Sequence, residues 1–275
     1  MSRSALEDDE SAVRSAALPT GVTLEYGLAG RPEAPVLAFV HGLGPNLRQF
    51  LPQMAHFAGR YRVLLVSLRG HGGSSAAPQP TAAAYEPEIL ARHVGALSAY
   101  LGIQRLHFVG NSLGGLLGYE LLALGPPGLL SLTTFGTTAE LHGSRMTYWA
   151  LAAAVRLLGV KGMAAVVRRT ATRDPEVGAK LAHMYRSVSR DALLLISRHI
   201  AHYDYTETLR RAEVPLLLIQ GELDNEINAA LDSSLEVLAE APRSTAVCLA
   251  AAGHFANMER PSAFNYILGQ FLDRV

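Results

Sequence analysis

The chain has one cysteine, no net charge and no evident export signal. Each of these features argues against a class of protein. The single cysteine, Cys248, cannot form a disulfide within the chain, which favours a reducing compartment over a disulfide-stapled secreted scaffold. Cys248 lies in the apolar segment 245–249, so we expect it to be a small core residue and not a reactive thiol. Basic and acidic residues each number 24, so the formal net charge is zero. Neither nucleic acid nor an anionic membrane is therefore an expected partner.

Membrane and targeting segments are not evident either. No apolar run has the length that predicts a bilayer span, and the N-terminus lacks the basic-then-apolar order of a signal peptide. Residues 1–18 are rich in Ser, Ala, Asp and Glu, which predicts a flexible arm. We expect a cytoplasmic protein, a monomer or homodimer, that acts on a small molecule.

Short apolar runs alternate with helical patterns, which predicts an α/β protein with a mostly parallel sheet and helices on both faces. Between 139 and 208 the pattern is helical throughout, which predicts a cap inserted into a core made of 19–138 and 209–275. The apolar cap residues Met146, Trp149, Met163 and Met184 are expected to be mostly internal. The predicted strands are 22–28 (a half-exposed edge strand), 36–40, 62–67, 106–109, 130–135, 215–220 and 245–249.

The segment Gly110-Asn111-Ser112-Leu113-Gly114 lies between a predicted strand and a predicted helix. In a sharp strand-to-helix turn, a serine is pushed out of the sheet and the flanking glycines avoid a clash between strand and helix. The alternative is an ordinary glycine-rich turn with a serine cap, which would have the same residues. The strand-then-helix context favours Ser112 as a nucleophile.

A second glycine turn follows the strand 36–40, with the sequence His41-Gly42-Leu43-Gly44. Its glycines let the backbone point amides into a pocket, so the N–H groups of Leu43 and Leu113 are candidate donors to an oxyanion. We expect His41 to brace this loop without titrating. The glycine loop 69–75 lacks the Lys-Ser/Thr ending of a phosphate-binding loop, which argues against a nucleotide site.

A serine nucleophile needs a base and an orienting carboxylate, and both candidates follow late strands. His254 lies in a Gly-His loop after the last strand, and Asp224 follows the strand before it. Ligands of such sheets collect at the carboxyl ends of the strands, where these residues converge with Ser112 and His41. Rival carboxylates are Glu222 and Glu226. Five other histidines lie in helical patterns and are expected to be structural: His56, His93, His183, His199 and His202.

The order Ser112, Asp224, His254, together with the His41-Gly42 turn and the helical insertion, resembles the α/β-hydrolase superfamily. The motifs His-Gly-Leu-Gly, Gly-Asn-Ser-Leu-Gly-Gly and Gly-His-Phe-Ala-Asn-Met-Glu-Arg-Pro are similar to those of carboxylesterases, enol-lactone hydrolases and carbon–carbon bond hydrolases. The resemblance implies an eight-stranded sheet, a cap between strands six and seven, an acyl-enzyme on Ser112, and neither cofactor nor metal. One departure is Ser67, where the family commonly has Asp before its Arg-Gly loop.

The sequence is compatible with two hydrolytic reactions and one non-catalytic role. The first is hydrolysis of a carboxylic ester or lactone of a small, largely apolar compound. The second is carbon–carbon bond hydrolysis of a β-diketone, for which Arg145, Arg156, Arg168 or Arg169 of the cap could bind a substrate carboxylate. The third is a ligand-binding protein on the same fold, against which the complete Ser-Asp-His set argues.

Overall fold

One eight-stranded sheet forms the centre of the protein. The computed structural model describes residues 13–125, 128–143 and 145–275, without the side chains of 145, 147 and 148. The sheet strands are β1 (Val13–Ala17), β2 (Thr23–Ala29), β3 (Val36–Val40), β4 (Arg62–Val66), β5 (Leu106–Asn111), β6 (Leu129–Phe135), β9 (Leu216–Gly221) and β10 (Ser244–Leu249). Their order is β1-β2-β4-β3-β5-β6-β9-β10. The six strands from β4 to β10 pair in parallel, whereas β1 and β2 are antiparallel to their neighbours.

Helices cover both faces of this sheet, as the sequence predicts. The central strand β3 shows why, because its residues are all buried and alternate between two cores. Val36, Ala38 and Val40 belong to one core, and Leu37 and Phe39 belong to the other. The first core is closed by α2 (Pro87–Tyr100), α3 (Leu113–Leu124) and α9 (Asp232–Glu240), and the second by α1 (Leu51–Phe57) and α11 (Pro261–Leu272). The remaining core helices are the short α7 (Thr206–Arg210), α8 (Asn225–Asn228) and α10 (Ala256–Glu259).

The predicted N-terminal arm is wrong for its last residues. Residues 13–17 form β1, which pairs with β2 from Val13↔Gly27 to Ala17↔Thr23 and buries Ala16. This pairing makes β1 the edge strand, so the segment predicted as an edge is second from the edge. Five residues with two charged or polar side chains give little apolar signal, because their strand depends on a partner further along the chain. Residues 1–12 of the predicted arm lie outside the described residues.

Cys248 also departs from its prediction, since its side chain is exposed and not in the core. It lies on β10, which is the other edge of the sheet and exposes Thr245, Ala246 and Cys248. An edge strand that helices cover incompletely has one open face, and an apolar run of five residues does not reveal this position.

The segment between β6 and β9 contains the predicted insertion, which lies between the sixth and seventh strands of the sheet in chain order. It consists of α4 (Arg145–Thr170), α5 (Pro175–Tyr185) and α6 (Arg190–Ile200), flanked by β7 (Glu140–His142) and β8 (His202–Asp204). β7 and β8 pair antiparallel as a separate ribbon, which the sequence did not predict because each has three residues. His202 therefore lies in a strand. The backbone of Gly159, at φ 63° and ψ 179°, breaks α4 midway.

Burial in the insertion follows the prediction at two of four positions. Met163 and Met184 are buried, whereas Met146 is 78% and Trp149 54% exposed. By length and composition alone, the α4 segment Trp149–Thr170 is long and apolar enough to cross a membrane. In its most apolar window, 22% of the residues are buried. It carries the charges of Arg156 and Lys161 and the break at Gly159, which a spanning helix would have to accommodate.

Candidate active site

The turn between β5 and α3 has the geometry that the glycine spacing predicts. A Cβ atom at Gly110 would overlap the carbonyl of Gly114, and one at Gly114 would overlap the carbonyl of Val40. Only glycine therefore allows β5, α3 and the end of β3 to pass at this distance. The close approach places Ser112 at the first residue before α3, at the carboxyl edge of the sheet.

The backbone of Ser112 is strained. Its φ of 51° and ψ of −115° lie in a region that non-glycine residues rarely occupy, at a cost of about 1–3 kcal/mol. Three hydrogen bonds hold it there. Its N–H donates to Phe135 O at 2.9 Å, and its carbonyl accepts from Thr137 Oγ1 at 2.9 Å and from Leu116 N at 3.1 Å. The surrounding core thus fixes an unfavourable turn, in which Ser112 is half-buried.

The loop after β3 lies against this turn. A Cβ atom at Gly42 would be 3.2 Å from Ser112 Cβ. Among the described residues, neither Leu43 N nor Leu113 N donates a backbone hydrogen bond. These two amides belong to the residues that follow Gly42 and Ser112, so they remain the predicted donors to a developing oxyanion.

His254 and Asp224 meet at the same edge of the sheet. His254 Nδ1 lies 2.9 Å from Asp224 Oδ2, and the Asp224 side chain is buried. Asp224 follows β9 by three residues, and His254 follows β10 by five. A buried carboxylate on Nδ1 fixes the tautomer that leaves Nε2 able to accept a proton. The structure thus joins two of the three predicted catalytic residues directly.

The rival carboxylates have other positions. Glu222 Oε2 accepts a hydrogen bond from Ala251 N at 2.7 Å, and Glu226 is exposed. Ser112 and His254 are not hydrogen-bonded to each other in this structure. Such catalytic bonds are often long without substrate and shorten when it binds.

Asn111 connects the serine turn to the histidine loop, a role that the sequence did not reveal. Its Nδ2 donates to Phe135 O at 3.2 Å and to His254 O at 3.1 Å. Its Oδ1 accepts from Gln49 Nε2 at 2.9 Å, and the side chain is fully buried. Gln49 continues the chain of amides to Asn257, whose Nδ2 donates back to Gln49 O at 2.9 Å. The signal in the sequence was an amide beside the candidate nucleophile, a position expected to be buried.

These bonds belong to a larger buried network of amide side chains. Gln53 Nε2 donates to Asn265 Oδ1 at 3.0 Å, and Asn257 Nδ2 donates to Gln53 Oε1 at 2.9 Å. Buried polar networks of this kind are rigid when satisfied, because each member has few alternative partners. In this network Gln49 Oε1 is buried without a partner among the described residues. The network therefore links β5, α1, α10 and α11 beneath the site.

His41 is fully buried just past β3, with both ring nitrogens in hydrogen bonds. Nδ1 donates to Gly42 O at 2.7 Å, and Nε2 accepts from Leu68 N at 2.9 Å. Burial, together with the neighbouring His71 ring, holds the pKa of His41 well below its usual value. The ring is therefore neutral and ties the loop after β3 to the end of β4, in line with a bracing role.

Ser67 has a carboxylate neighbour despite the departure from the family pattern. Its hydroxyl donates to Glu25 Oε2 at 2.6 Å and accepts from Leu47 N at 3.1 Å. Glu25 comes from β2 and is buried, and its Oε1 lies 3.2 Å from Arg48 Nη1. An acidic group is thus present beside the glycine loop, although it comes from another strand.

A cleft of about 1190 Å³ opens between the insertion and the loops that carry Asp224 and His254. Ser112 is not among its lining residues. Arg168 and Arg169 line it, whereas Arg156 is exposed elsewhere on α4 and the Arg145 side chain lies outside the described residues. Further lining residues include Arg173, Asp174, Glu226, Phe255, Glu259 and Arg260. The cleft walls are more polar than a largely apolar substrate predicts.

The chain is similar to known hydrolases in sequence and in fold. The chain is 30% identical over 271 residues to 3-oxoadipate enol-lactonase 2 of Acinetobacter baylyi, a match that covers 92% of this chain and 94% of that protein. The crystal structure of the enol-lactonase from Burkholderia xenovorans is similar with a TM-score of 0.83 at 30% identity, covering 94% of this chain and 100% of that one. A hydrolase from Pseudomonas aeruginosa gives a TM-score of 0.79 at 29% identity, with 96% and 99% covered. Residues 37–265 match the model of the alpha/beta hydrolase family, and the chain therefore belongs to that family.

Proposed function

We propose that this protein is a serine hydrolase that cleaves a carboxylic ester or a lactone through an acyl-enzyme on Ser112. The observation that carries the proposal is the 2.9 Å bond between His254 Nδ1 and Asp224 Oδ2, at the sheet edge that holds the strained Ser112 turn. Membership of the hydrolase family and 30% identity to an enol-lactonase support an ester or lactone as the bond cleaved.

In the first step, Ser112 Oγ attacks the carbonyl carbon as its proton passes to His254 Nε2. Asp224 offsets the charge of the imidazolium, and the amides of Leu43 and Leu113 stabilise the oxyanion. When the intermediate collapses, the C–O bond breaks and His254 returns the proton to the leaving alcohol, which in a lactone stays attached to the acyl chain. A positioned base contributes about 10²–10⁴ in rate and one oxyanion donor about 10²–10³.

In the second step, His254 removes a proton from water, which attacks the acyl carbon. The bond to Ser112 Oγ breaks, the serine regains its proton from His254, and a carboxylic acid leaves. Both steps use the same oxyanion donors, since the charge develops on the same oxygen. No residue besides Ser112 needs to form a covalent bond.

Carbon–carbon bond hydrolysis of a β-diketone is a second candidate, favoured by one observation. Arg168 and Arg169 line the same cleft as His254, and no ion pair to either is present among the described residues. Guanidinium groups bind carboxylates well, so the cleft suits a substrate that carries one. The same feature would serve an ester or lactone with a remote carboxylate.

A fluorophosphonate probe separates the enzyme from a binding protein on the same fold. We expect covalent labelling of the wild type, none in Ser112→Ala, and unchanged labelling in Ser262→Ala, which removes an exposed serine on α11. A folded wild type that is not labelled would contradict the proposal. Turnover of esters of graded acyl length, lactones and a β-diketone, each with and without a remote carboxylate, then identifies the bond and substrate class.

A further inference from the structure

In the part of the chain that the structure describes, the outer side of the first half of α4 is an apolar surface that is largely exposed. Met146, Trp149, Ala153 and Leu157 recur at intervals of three and four residues, so they lie on one side of the helix. Their exposure reaches 85% at Leu157 and 78% at Met146. We call these four residues the outer face of α4. The buried residue Val155 lies on the opposite side, against the rest of the insertion.

This surface is unusual for the protein. Five of the nine exposed large hydrophobic side chains of the described chain lie on α4, and Leu158 and Val166 are the two outside the outer face. Scattered apolar residues on a surface need no explanation, whereas a contiguous group on one element marks an interaction site.

The charges of α4 are all of one sign. The helix contains five basic residues and no aspartate or glutamate, although the whole chain is neutral. Arg156 is exposed beside Leu157 in the first half of α4, Lys161 is exposed two residues after the break at Gly159, and Arg168 and Arg169 are exposed at the C-terminal end. Net charge zero therefore conceals a local cationic segment.

We propose that α4 docks this protein on anionic lipid bilayers. Trp149, Ala153 and Leu157 enter the headgroup region, while Arg156 and Lys161 contact lipid phosphates. An exposed apolar side with tryptophan and leucine, flanked by basic residues, is the pattern of helices that lie in the membrane interface. Such a helix lies on the bilayer and does not cross it, consistent with the break at Gly159. The C-terminal end of α4, beyond the break at Gly159, lines the cleft of His254.

A second copy of the chain fits this surface less well than an anionic lipid bilayer does. A twofold dimer would place the same surface on both sides of the interface. Arg156 and Lys161 of each copy would then face the same groups in the other, and α4 has no carboxylate to pair with them. Anionic lipid covers the apolar residues and neutralises the charges together.

Trp149 reports docking directly, because it is the only tryptophan in the chain. We expect its fluorescence emission to shift to the blue when the full chain is mixed with vesicles of equal phosphatidylglycerol and phosphatidylcholine. Vesicles of phosphatidylcholine alone should produce no shift. The absence of a shift with anionic vesicles, or an equal shift with both, overturns the proposal.

Variants on two surfaces test whether α4 is responsible. In vesicle co-sedimentation, Arg156→Gln/Lys161→Gln should bind about thirtyfold more weakly, since each basic residue near an anionic surface contributes about fivefold. Leu157→Ser should also weaken binding. The first control is Arg31→Gln/Arg105→Gln, which removes two exposed charges that precede β3 and β5. The second control is Tyr266→Ser on α11. Equal losses in the controls, or full binding by the α4 variants, overturn the proposal.

Sedimentation velocity without lipid tests the second copy. We expect a monomer, with the same thermal unfolding in all variants because the altered residues are exposed. A dimer that Leu157→Ser dissociates, in a protein that ignores anionic vesicles, assigns the surface to self-association and overturns the proposal. All these measurements report binding, so they do not depend on the hydrolase activity proposed above.

Discussion

Replacing Asn111 with alanine tests whether the buried amide network positions the reacting groups. The substitution removes three hydrogen bonds, to Phe135 O, His254 O and Gln49 Nε2. At about 0.5–1.5 kcal/mol net for each, the free energy of unfolding should fall by roughly 2–4 kcal/mol. A protein of ordinary stability, about 5–15 kcal/mol, stays folded after this loss.

The effect on catalysis has a different origin. The bond from Asn111 to His254 O, at 3.1 Å, links the strand before Ser112, the proposed nucleophile, to the loop of His254, the proposed base. Without it, the loop can shift, and a displacement of about 1 Å can cost around 10²-fold in rate. We expect kcat to fall by about that factor. KM should change little, because the fully buried Asn111 cannot contact substrate.

A control at the far end of the network separates positioning from stability. Asn265→Ala removes the acceptor of Gln53 Nε2, on α11 and without a bond to either catalytic loop. Both variants are compared by urea unfolding and by hydrolysis of a chromogenic ester, well below their unfolding midpoints. Asn265→Ala should lose stability and keep kcat. An equal fall in kcat in both variants, or an unchanged kcat in Asn111→Ala, would refute the positioning role.

Three further predictions follow from the site and its surroundings. Asp224→Asn should lower kcat by about 10⁴ in steady-state assays, because an amide on His254 Nδ1 permits the wrong tautomer, whereas Glu226→Gln should have little effect. Gly44→Ala should destabilise the protein more than Gly21→Ala in thermal unfolding. Both glycines have a positive φ, of 103° and 77°, but only a Cβ atom at Gly44 would overlap the Tyr185 ring. Equal losses of stability would mean that backbone strain alone acts. Burial lowers the pKa of His71 to about 4 in the folded protein, whereas its pKa in the unfolded chain is about 6.5. Between these pH values the unfolded chain binds more protons than the folded protein. The free energy of unfolding should therefore decrease as the pH falls from about 6.5 to about 4. His71→Asn should reduce this slope in urea unfolding at several pH values, and an unchanged slope would contradict the assignment.

The sheet and the serine turn could be predicted because their signals are local. β3 coincides with its predicted range, since five consecutive apolar residues are buried on both faces. The glycines around Ser112 could be interpreted because a steric requirement of the turn itself demands them. The alternation of strands and helices predicts the α/β class, and the resemblance of the motifs implied the α/β-hydrolase architecture, which is confirmed.

What could not be predicted depends on contacts distant in sequence. β1 forms because β2 is available to pair with it, and Cys248 is exposed because β10 is an edge. Asn111 binds His254 across 143 residues of chain, so no spacing rule could identify the pair. Met146 and Trp149 look like core residues by composition, but composition does not say which side of a helix meets another element.

The ribbon of β7 and β8 has a consequence for how this protein can change. Both connections of the insertion pass through it, with Glu140 opposite Asp204 and a bond from Gly143 N to Ala201 O at 2.8 Å. A segment whose entry and exit are already joined can be exchanged for another with paired ends while the sheet keeps its strand order. Proteins of this architecture can thus diverge by replacement of the insertion alone, while the sheet and the residues at its carboxyl edge stay in place.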